Sequence, residues 1–254
     1  FVQAITVSRH TRHETVNYIA SLKLLLESGA DVNRNTGCYY ETPLKLACSH
    51  MSVETVKLLL NKGANVNAKD IRDNTALLTY MSYKIVDMDD KSSFTPEYFL
   101  WNYNIVSLLL QNGADLNAND NEGQTALMML CNHNNYKSYM VVSLLLQNGA
   151  DVNIKNNYGM TALRQASEQG YTEFVALLLN NGADINEKDK WSNTALKVAC
   201  TGGHTHTVSY LLKKGADVNT RDSYGNTALD SSCKYGRNKD CLLYTSDAAD
   251  ELLG

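Results

Sequence analysis

The residues of this chain that could do chemistry recur at regular intervals, and their spacing does not suit most of the chemistry they suggest. His10-x2-His13 and His204-x-His206 have the close spacing of metal ligands, yet no cysteine or carboxylate stands at supporting spacing beside either pair. Asp31, Asp115, Asp151, Asp184 and Asp217 return once per copy of a longer pattern, too regular and too far apart for an acid and a base acting on one bond. Solvated loop positions, or partners for backbone amides, account for them. Asn33, Asn67, Asn117, Asn153, Asn186 and Asn219 follow the same rhythm and are read as holding their loop through side-chain-to-backbone bonds. No glycine-rich loop precedes a lysine in a phosphate-binding pattern, and no Ser, Cys or Thr sits in a nucleophile signature. The expectation is a chain without catalysis, metal or cofactor.

Six cysteines would suit a disulfide framework in a small secreted protein. Their positions argue otherwise. Cys48, Cys131, Cys200 and Cys233 each lie six residues after a threonine that opens a recurring Thr-Pro/Ala-Leu mark, where Met81 and Ser167 stand in the other two copies. They are equivalent small residues of one helix, a copy or more apart, and no CxxC occurs. Packed, reduced thiols in a cytoplasmic protein are expected.

What must position these residues is a unit repeated with a period near 33. It is clearest at 161–186, and 194–219 carries the same marks in the same places. Leu163, Ala166 and Ser167 are spaced for one face of a short helix, Thr161 is placed to cap it, and Gly170 ends it. In the copy opening at Thr42, Pro43 takes the first helical position, where its missing N–H costs nothing. Phe174, Val175, Leu177, Leu178 and Leu179 give a second helix with a broad apolar face, closed by Gly182. The polar segment 184–193 suits a hairpin-like loop. A pair of such short helices cannot bury its apolar stripes alone. Copies stacked side by side can, and the expected fold is an all-α solenoid of helix-turn-helix pairs joined by β-hairpin-like loops.

The threonine mark occurs six times, from Thr42, Thr75, Thr125, Thr161, Thr194 and Thr227. An exit mark, Gly-Ala-(Asp/Asn)-Val/Leu/Ile-Asn, also occurs six times, with its glycine at Gly29, Gly63, Gly113, Gly149, Gly182 and Gly215. A second-type helix over 18–27 precedes Gly29, and 1–8 reads as the remnant of a first helix, with Ala4 in the place of Ala47. The chain is therefore expected to start inside a repeat. About 17 extra residues fall between the helices of one copy, around 85–98, with the acidic run Asp87-Met88-Asp89-Asp90. A smaller insertion lies near 132–138. Both fall at helix–helix corners, where a flexible loop, a partner contact or a modification site leaves the stacking face alone.

With 254 residues, 20% of them charged, and a net charge of −4, the chain has no basic face or Lys/Arg run, which argues against a nucleic-acid partner. Its longest apolar runs are only a few residues, too short to cross a membrane as a helix. A monomer is expected.

The pattern resembles the ankyrin repeat. Asp222-Ser223-Tyr224-Gly225-Asn226-Thr227-Ala228-Leu229 is similar to that family's hairpin and helix start, Gly203-His204 to its inter-helix turn, and 177–186 to its outer helix and exit. The resemblance covers 1–240. The histidine that commonly follows Thr-Pro-Leu is absent, its place taken by Lys45, Leu78, Met128, Arg164, Lys197 and Asp230, which puts in question the bonds it makes between neighbouring repeats. The hairpin glycine is kept at Gly123, Gly159 and Gly225 but replaced by Asp73 and Ser192, and those turns are expected to be less regular. Residues 241–254 break the period and resemble an in-frame translation of a sequencing adapter, so the fold is expected to end at 240.

The resemblance implies a non-catalytic module that binds a protein partner through hairpin tips and inner helices of a concave face. Three residues before each threonine stand Tyr39, Arg72, Glu122, Tyr158, Trp191 and Tyr224. In a stack these tips line up along one edge, about 10 Å apart. The row has the composition of an interface hot spot, although tip-on-tip packing that stiffens the array is the other reading. The inner-helix ends add Ser49, His50, Tyr83, His133, Glu168, Gln169 and Tyr235. The family also makes Asn153 and Asn219 candidates for asparaginyl hydroxylation. It further allows the array to be the targeting arm of a larger effector or ubiquitin-ligase adaptor, its other domain outside these residues.

Overall fold

Each threonine of the recurring mark starts a helix, and each glycine of the exit mark ends one. In the computed structural model the described residues are 12–35, 41–50, 52–86, 96–132 and 138–235, with side chains described for 19–35, 41–50, 52–82, 103–132 and 138–234. Twelve helices follow one another among them: α1 (Arg12–Glu27), α2 (Pro43–Ser49), α3 (Val53–Asn61), α4 (Ala76–Val86), α5 (Pro96–Gln111), α6 (Ala126–Asn132), α7 (Ser138–Gln147), α8 (Ala162–Gln169), α9 (Thr172–Asn180), α10 (Ala195–Gly202), α11 (Thr205–Lys213) and α12 (Ala228–Tyr235). Tyr39, His133, most of the 85–98 insertion and residues 241–254 lie outside the described residues, and the side chains of Tyr83 and Tyr235 outside the described side chains.

The helix starts follow capping chemistry. Thr42, Thr75, Thr161, Thr194 and Thr227 each accept, through Oγ1, the N–H three residues on, at 3.3–3.4 Å. Pro43 opens α2 at its first position. The helix ends are equally local. After α9, Gly182 takes φ +86°, its N–H donates to the Leu179 carbonyl (3.1 Å), and the Ala183 N–H donates to the Leu178 carbonyl (3.0 Å). That is a Schellman ending, which needs a left-handed residue at this position.

The chain divides into two units, Phe1–Ala126 with Gln147–Gly149, and Leu127–Leu146 with Ala150–Gly254. In the first, the short helix α2 packs on α4, and the outer helices follow in the order α1, α3, α5. In the second, α8, α10 and α12 stack as inner helices, with α9 and α11 packed on one another and on the inner row. Within each unit the chain is an all-α stack of helix pairs, and among the described residues the only β-pairing between two of them is the isolated bridge Asn119–Thr125.

Burial within the stack is more complete than a one-faced helix pattern implies. α10 has α8 on one side, α12 on the other and α11 packed on it as well, and Ala195–Cys200 are six consecutive buried residues. Ala162 through Ser167 of α8 are buried in the same way. The inner helices therefore bring Lys45, Arg164, Gln165 and Lys197 into the interior with their leucines. Cys48, Cys131 and Cys200 are buried free thiols, as the spacing led one to expect, and burial pushes the Cys48 thiol up to about 12. Cys233 differs. It is exposed, because α12 packs on α10 and no further described helix covers its other side. Ser167, in the cysteine position, has a buried hydroxyl without a partner among the described residues.

The loops between helix pairs are tight turns folded around one side chain. Asp222 Oδ1 accepts the N–H groups of Tyr224 and Asn226, both at 2.8 Å, while the Asp222 N–H donates to the Asn226 carbonyl (2.9 Å). Asp70, Asp120, Asn156 and Asp189 make the same pair of side-chain bonds at 2.8–3.0 Å. The residue before the last of each turn is left-handed, and here the expectation of irregular turns at Asp73 and Ser192 is overturned. Asp73 (φ +61°) and Ser192 (φ +60°) adopt the conformation that Gly123, Gly159 and Gly225 adopt, with every turn bond in place. The bonds of Asp70 and Asp189 force the conformation, and the side chain bears the strain.

Two stability outcomes follow. Leu178 is fully buried, and Leu178→Ala is expected to cost ~2–5 kcal/mol in urea unfolding; a loss below ~1 kcal/mol would place it outside the core. Ser192→Gly is expected to raise stability by ~0.5–1 kcal/mol, the left-handed strain relieved less the chain entropy that glycine surrenders. A destabilised Ser192→Gly would contradict strain at this turn.

Candidate functional site

The carboxylate that folds a hairpin has a second oxygen, and the preceding inner helix supplies its partner. Asp189 Oδ2 accepts the Arg164 Nε–H of α8 at 3.1 Å, and Arg164 also reaches Glu168 Oε2 at 2.6 Å. Asp222 Oδ2 pairs with the Lys197 ammonium of α10. In the first unit, Asp70 Oδ2 pairs with Lys45 Nζ of α2 at 2.5 Å, and Lys45 donates also to the Asn74 carbonyl at 2.7 Å. The side chains are almost wholly covered: Arg164 and Asp189 are 8% and 0% exposed, Lys197 and Asp222 9% and 6%. So the bonds between neighbouring repeats, in question once the histidine was found missing, are made by cations in its place. Three positions break the series. Asp230 is an anion, and its Oδ2 accepts the N–H and the hydroxyl of Thr227 in its own copy, both at 2.8 Å. Leu78 and Met128 bring no charge, and Met128 corresponds to the hairpin in which Asn156 replaces the carboxylate, its Nδ2 buried without a partner among the described residues.

Burial and pairing oppose each other in the titration of these groups. Burial pushes the Lys45 ammonium below the usual lysine range, and Asp70 only partly restores it. Burial alone would push the Asp222 carboxyl up, but the Lys197 ammonium and the Asn226 and Tyr224 amides outweigh this and hold it at about 2. Asp70 is likewise held below the usual carboxylate range by Lys45 and by the amides of Asn74 and Arg72, against its burial.

These turns carry the tips. Successive tips are joined through the main chain: the Lys190 N–H donates to the Tyr158 carbonyl (3.0 Å), the Ser223 N–H to the Trp191 carbonyl (2.9 Å), and in the first unit the Asn121 N–H to the Arg72 carbonyl (2.9 Å). Tyr158 and Trp191 stack, with ring centroids 6.1 Å apart and planes 13° from parallel. Tyr224 stands off, 84% exposed, against 45% for Tyr158 and 41% for Trp191. Arg72 and Glu122 are exposed on their own tips. A groove of ≈ 790 Å³ runs in the second unit between tips and inner helices, lined by Arg164, Glu168, Lys197, Thr201, Asp222, Tyr224 and Lys234 among others. Tyr224 and Glu168, from two separate expectations, therefore meet at one site, while Tyr158 and Trp191 lie off its lining and on each other.

The family model for ankyrin repeats (three copies) matches the chain three times, over residues 10–87, 99–189 and 186–249. The chain belongs to the ankyrin-repeat family. No curated protein matches it. Ankyrin repeats are generally protein–protein interaction modules, and nothing in the family's usual role requires catalysis. No helix among the described residues is long and apolar enough to cross a membrane.

In this ankyrin chain the side-chain bonds of Asn33, Asn67, Asn153 and Asn186 go to the next repeat and not, as expected, to their own loop. Within the loop, Asp151 and Asp184 accept the N–H of Asn153 and Asn186 instead. The Asn153 amide donates to the Gly182 carbonyl (3.1 Å), and its Oδ1 accepts the Asp184 N–H (2.9 Å), so one side chain clamps the exit of the next repeat. Asn33 and Asn67 repeat both bonds, and Asn186 accepts from the Asp217 N–H at 2.8 Å. Asn219, the other hydroxylation candidate, is exposed. His204, singled out beside His206 for its spacing, lies over the preceding inter-helix turn. Its Nε2 is 2.8 Å from the Glu168 carbonyl, and a Cβ on Gly170 would come within 2.4 Å of its ring, so glycine is required there on spatial grounds as well as for φ.

The residues missed in the sequence are the groove's charges, Arg164, Lys197, Asp222 and Lys234. A signal was present: Arg164 and Asp189, like Lys197 and Asp222, are 25 residues apart. The depressed Asp222 pKa carries a sign. Its contribution to stability is complete above about pH 4 and is lost as the pH falls through about 2. Urea midpoints measured between pH 5 and 2 are expected to fall less steeply for Asp222→Asn than for the wild type, and parallel profiles would deny the carboxylate this role.

Proposed function

We propose that this ankyrin array holds a protein partner on the concave face of its second unit, with Tyr224 and Trp191 as anchors. The observation that carries the reading is Tyr224, a large ring 84% exposed on the lining of a ≈ 790 Å³ groove. Tyr and Trp are enriched among residues that dominate interface energies, since they bury much area for few frozen torsions. A partner segment lying in the groove meets the ring, the inner-helix ends Glu168, Thr201 and Lys234, and the stacked pair Tyr158–Trp191 beside it. Arg72 and Glu122 are the equivalent exposed tips of the first unit, and Tyr39, Tyr83 and Tyr235 are candidates by their position in the repeat alone.

The test starts from affinity capture with the wild-type chain and with a variant bearing Tyr158→Ala, Trp191→Ala and Tyr224→Ala. A protein recovered only by the wild type is then titrated against both. The triple variant is expected to bind at least about tenfold more weakly, with helicity and melting nearly unchanged. Equal affinity would remove the aromatic tips from the site.

A further inference from the structure

The turn at Asn156 shows that a hairpin of this kind does not need an ion pair in order to fold. Asn156 Oδ1 accepts the Tyr158 and Met160 N–H groups at 2.9 Å each, and the Asn156 N–H donates to the Met160 carbonyl at 3.0 Å. Asp189 and Asp222 make the same bonds with Oδ1 and have Oδ2 left over for Arg164 and Lys197. The cation thus adds nothing to the shape of the turn. It fastens a finished turn to the inner helix one repeat earlier.

Fastening of this kind is costly unless it serves position. A buried cation and carboxylate seldom outdo a well-packed neutral pair in stability, and this chain carries the uncharged residues Met128 and Asn156 at the corresponding positions of another copy. Two of the described ion pairs stand beneath tips with outward rings, Trp191 and Tyr224, and the third stands beneath Arg72. The uncharged hairpin carries Tyr158, whose ring leans on Trp191; only Tyr224 projects without a ring beside it. A ring as exposed as Tyr224 has little packing of its own to hold it, so its direction depends on the turn beneath it. A turn tied at its base loses less freedom when a partner closes on it.

We propose that Lys197 and Arg164 are positioning residues for partner binding, each holding, through the buried carboxylate of the following hairpin, the tip whose ring the partner meets. This deepens the binding-face reading and rests on it. Arg164 aligns Trp191, and Lys197 aligns Tyr224.

The chain itself supplies the control. Lys197→Met combined with Asp222→Asn copies the Met128–Asn156 combination, so it keeps the turn and removes the fastening. Nitrogen-15 relaxation of the free protein is expected to show lower order parameters at 223–225, with those at 190–192 unchanged. The captured protein is expected to bind about tenfold more weakly, and Tyr224→Ala to cost less in this background than in the wild type. Lys197→Arg, which keeps the pair, is expected to keep both order and affinity. Unchanged order at 223–225 overturns the proposal whatever the partner does. Lowered order with full affinity overturns it too, and leaves the binding face standing if Tyr224→Ala still weakens binding. If Tyr224→Ala has no effect even in the wild type, the binding face falls instead. Should the double variant melt early, Arg164→Met with Asp189→Asn in a Trp101→Phe background puts the same question to the other tip. Acrylamide quenching of Trp191 should rise there, and unchanged quenching overturns the proposal.

Discussion

No helix pair in this chain can cover its own apolar surface. α10 is enclosed by α8, α12 and α11, and six of its residues in a row are buried. A helix enclosed in this way has no solvent face on which to place its polar side chains. Arg164, Lys197 and the capping threonines enter the interior with the leucines, and each must find a partner there or cost stability. The threonines find theirs in their own helix, but the cations find carboxylates in the next repeat, so the hydrophobic need for neighbours brings directional bonds to them.

Those bonds do what apolar burial cannot. Hydrophobic contact is non-directional and would tolerate one pair sliding along the next. Asn153 clamping the Gly182 carbonyl, His204 on the Glu168 carbonyl and Arg164 on Asp189 each accept only one register. They also lie at three levels of the unit, at the loop exit, the inter-helix corner and the hairpin base, which fixes tilt as well as height. Of the hairpin tips, Tyr224 lies on the lining of the groove, on the turn whose carboxylate pairs with Lys197.

Much of this was legible in the sequence where the cause is local. Thr161 capping α8, Pro43 opening α2 and Gly182 closing α9 depend on residues within one turn of helix, and residue type and spacing were enough. The turns at Asp73 and Ser192 were misread for a reason almost as local. Their left-handed φ is imposed by the side chains of Asp70 and Asp189 three residues earlier, and a missing glycine looks like an irregular turn only if those bonds are ignored. Cys233 illustrates a different limit, since equivalence of position in a repeat does not carry equal burial where no described helix lies on the far side.

The sequence by itself determined the helix pairs, their order and the need to stack, because period, caps and breakers act over a few residues and repeat. Only the tertiary structure decided which tips pair and which stand free. Tyr158, Trp191 and Tyr224 occupy the same position in three copies, yet two stack and the third projects. Likewise Lys45, Arg164 and Lys197 read as surface cations in any single copy, and become buried anchors only when the next repeat brings a carboxylate against them. Partners one repeat away leave no mark within the copy that holds them, and three-dimensional packing selects them.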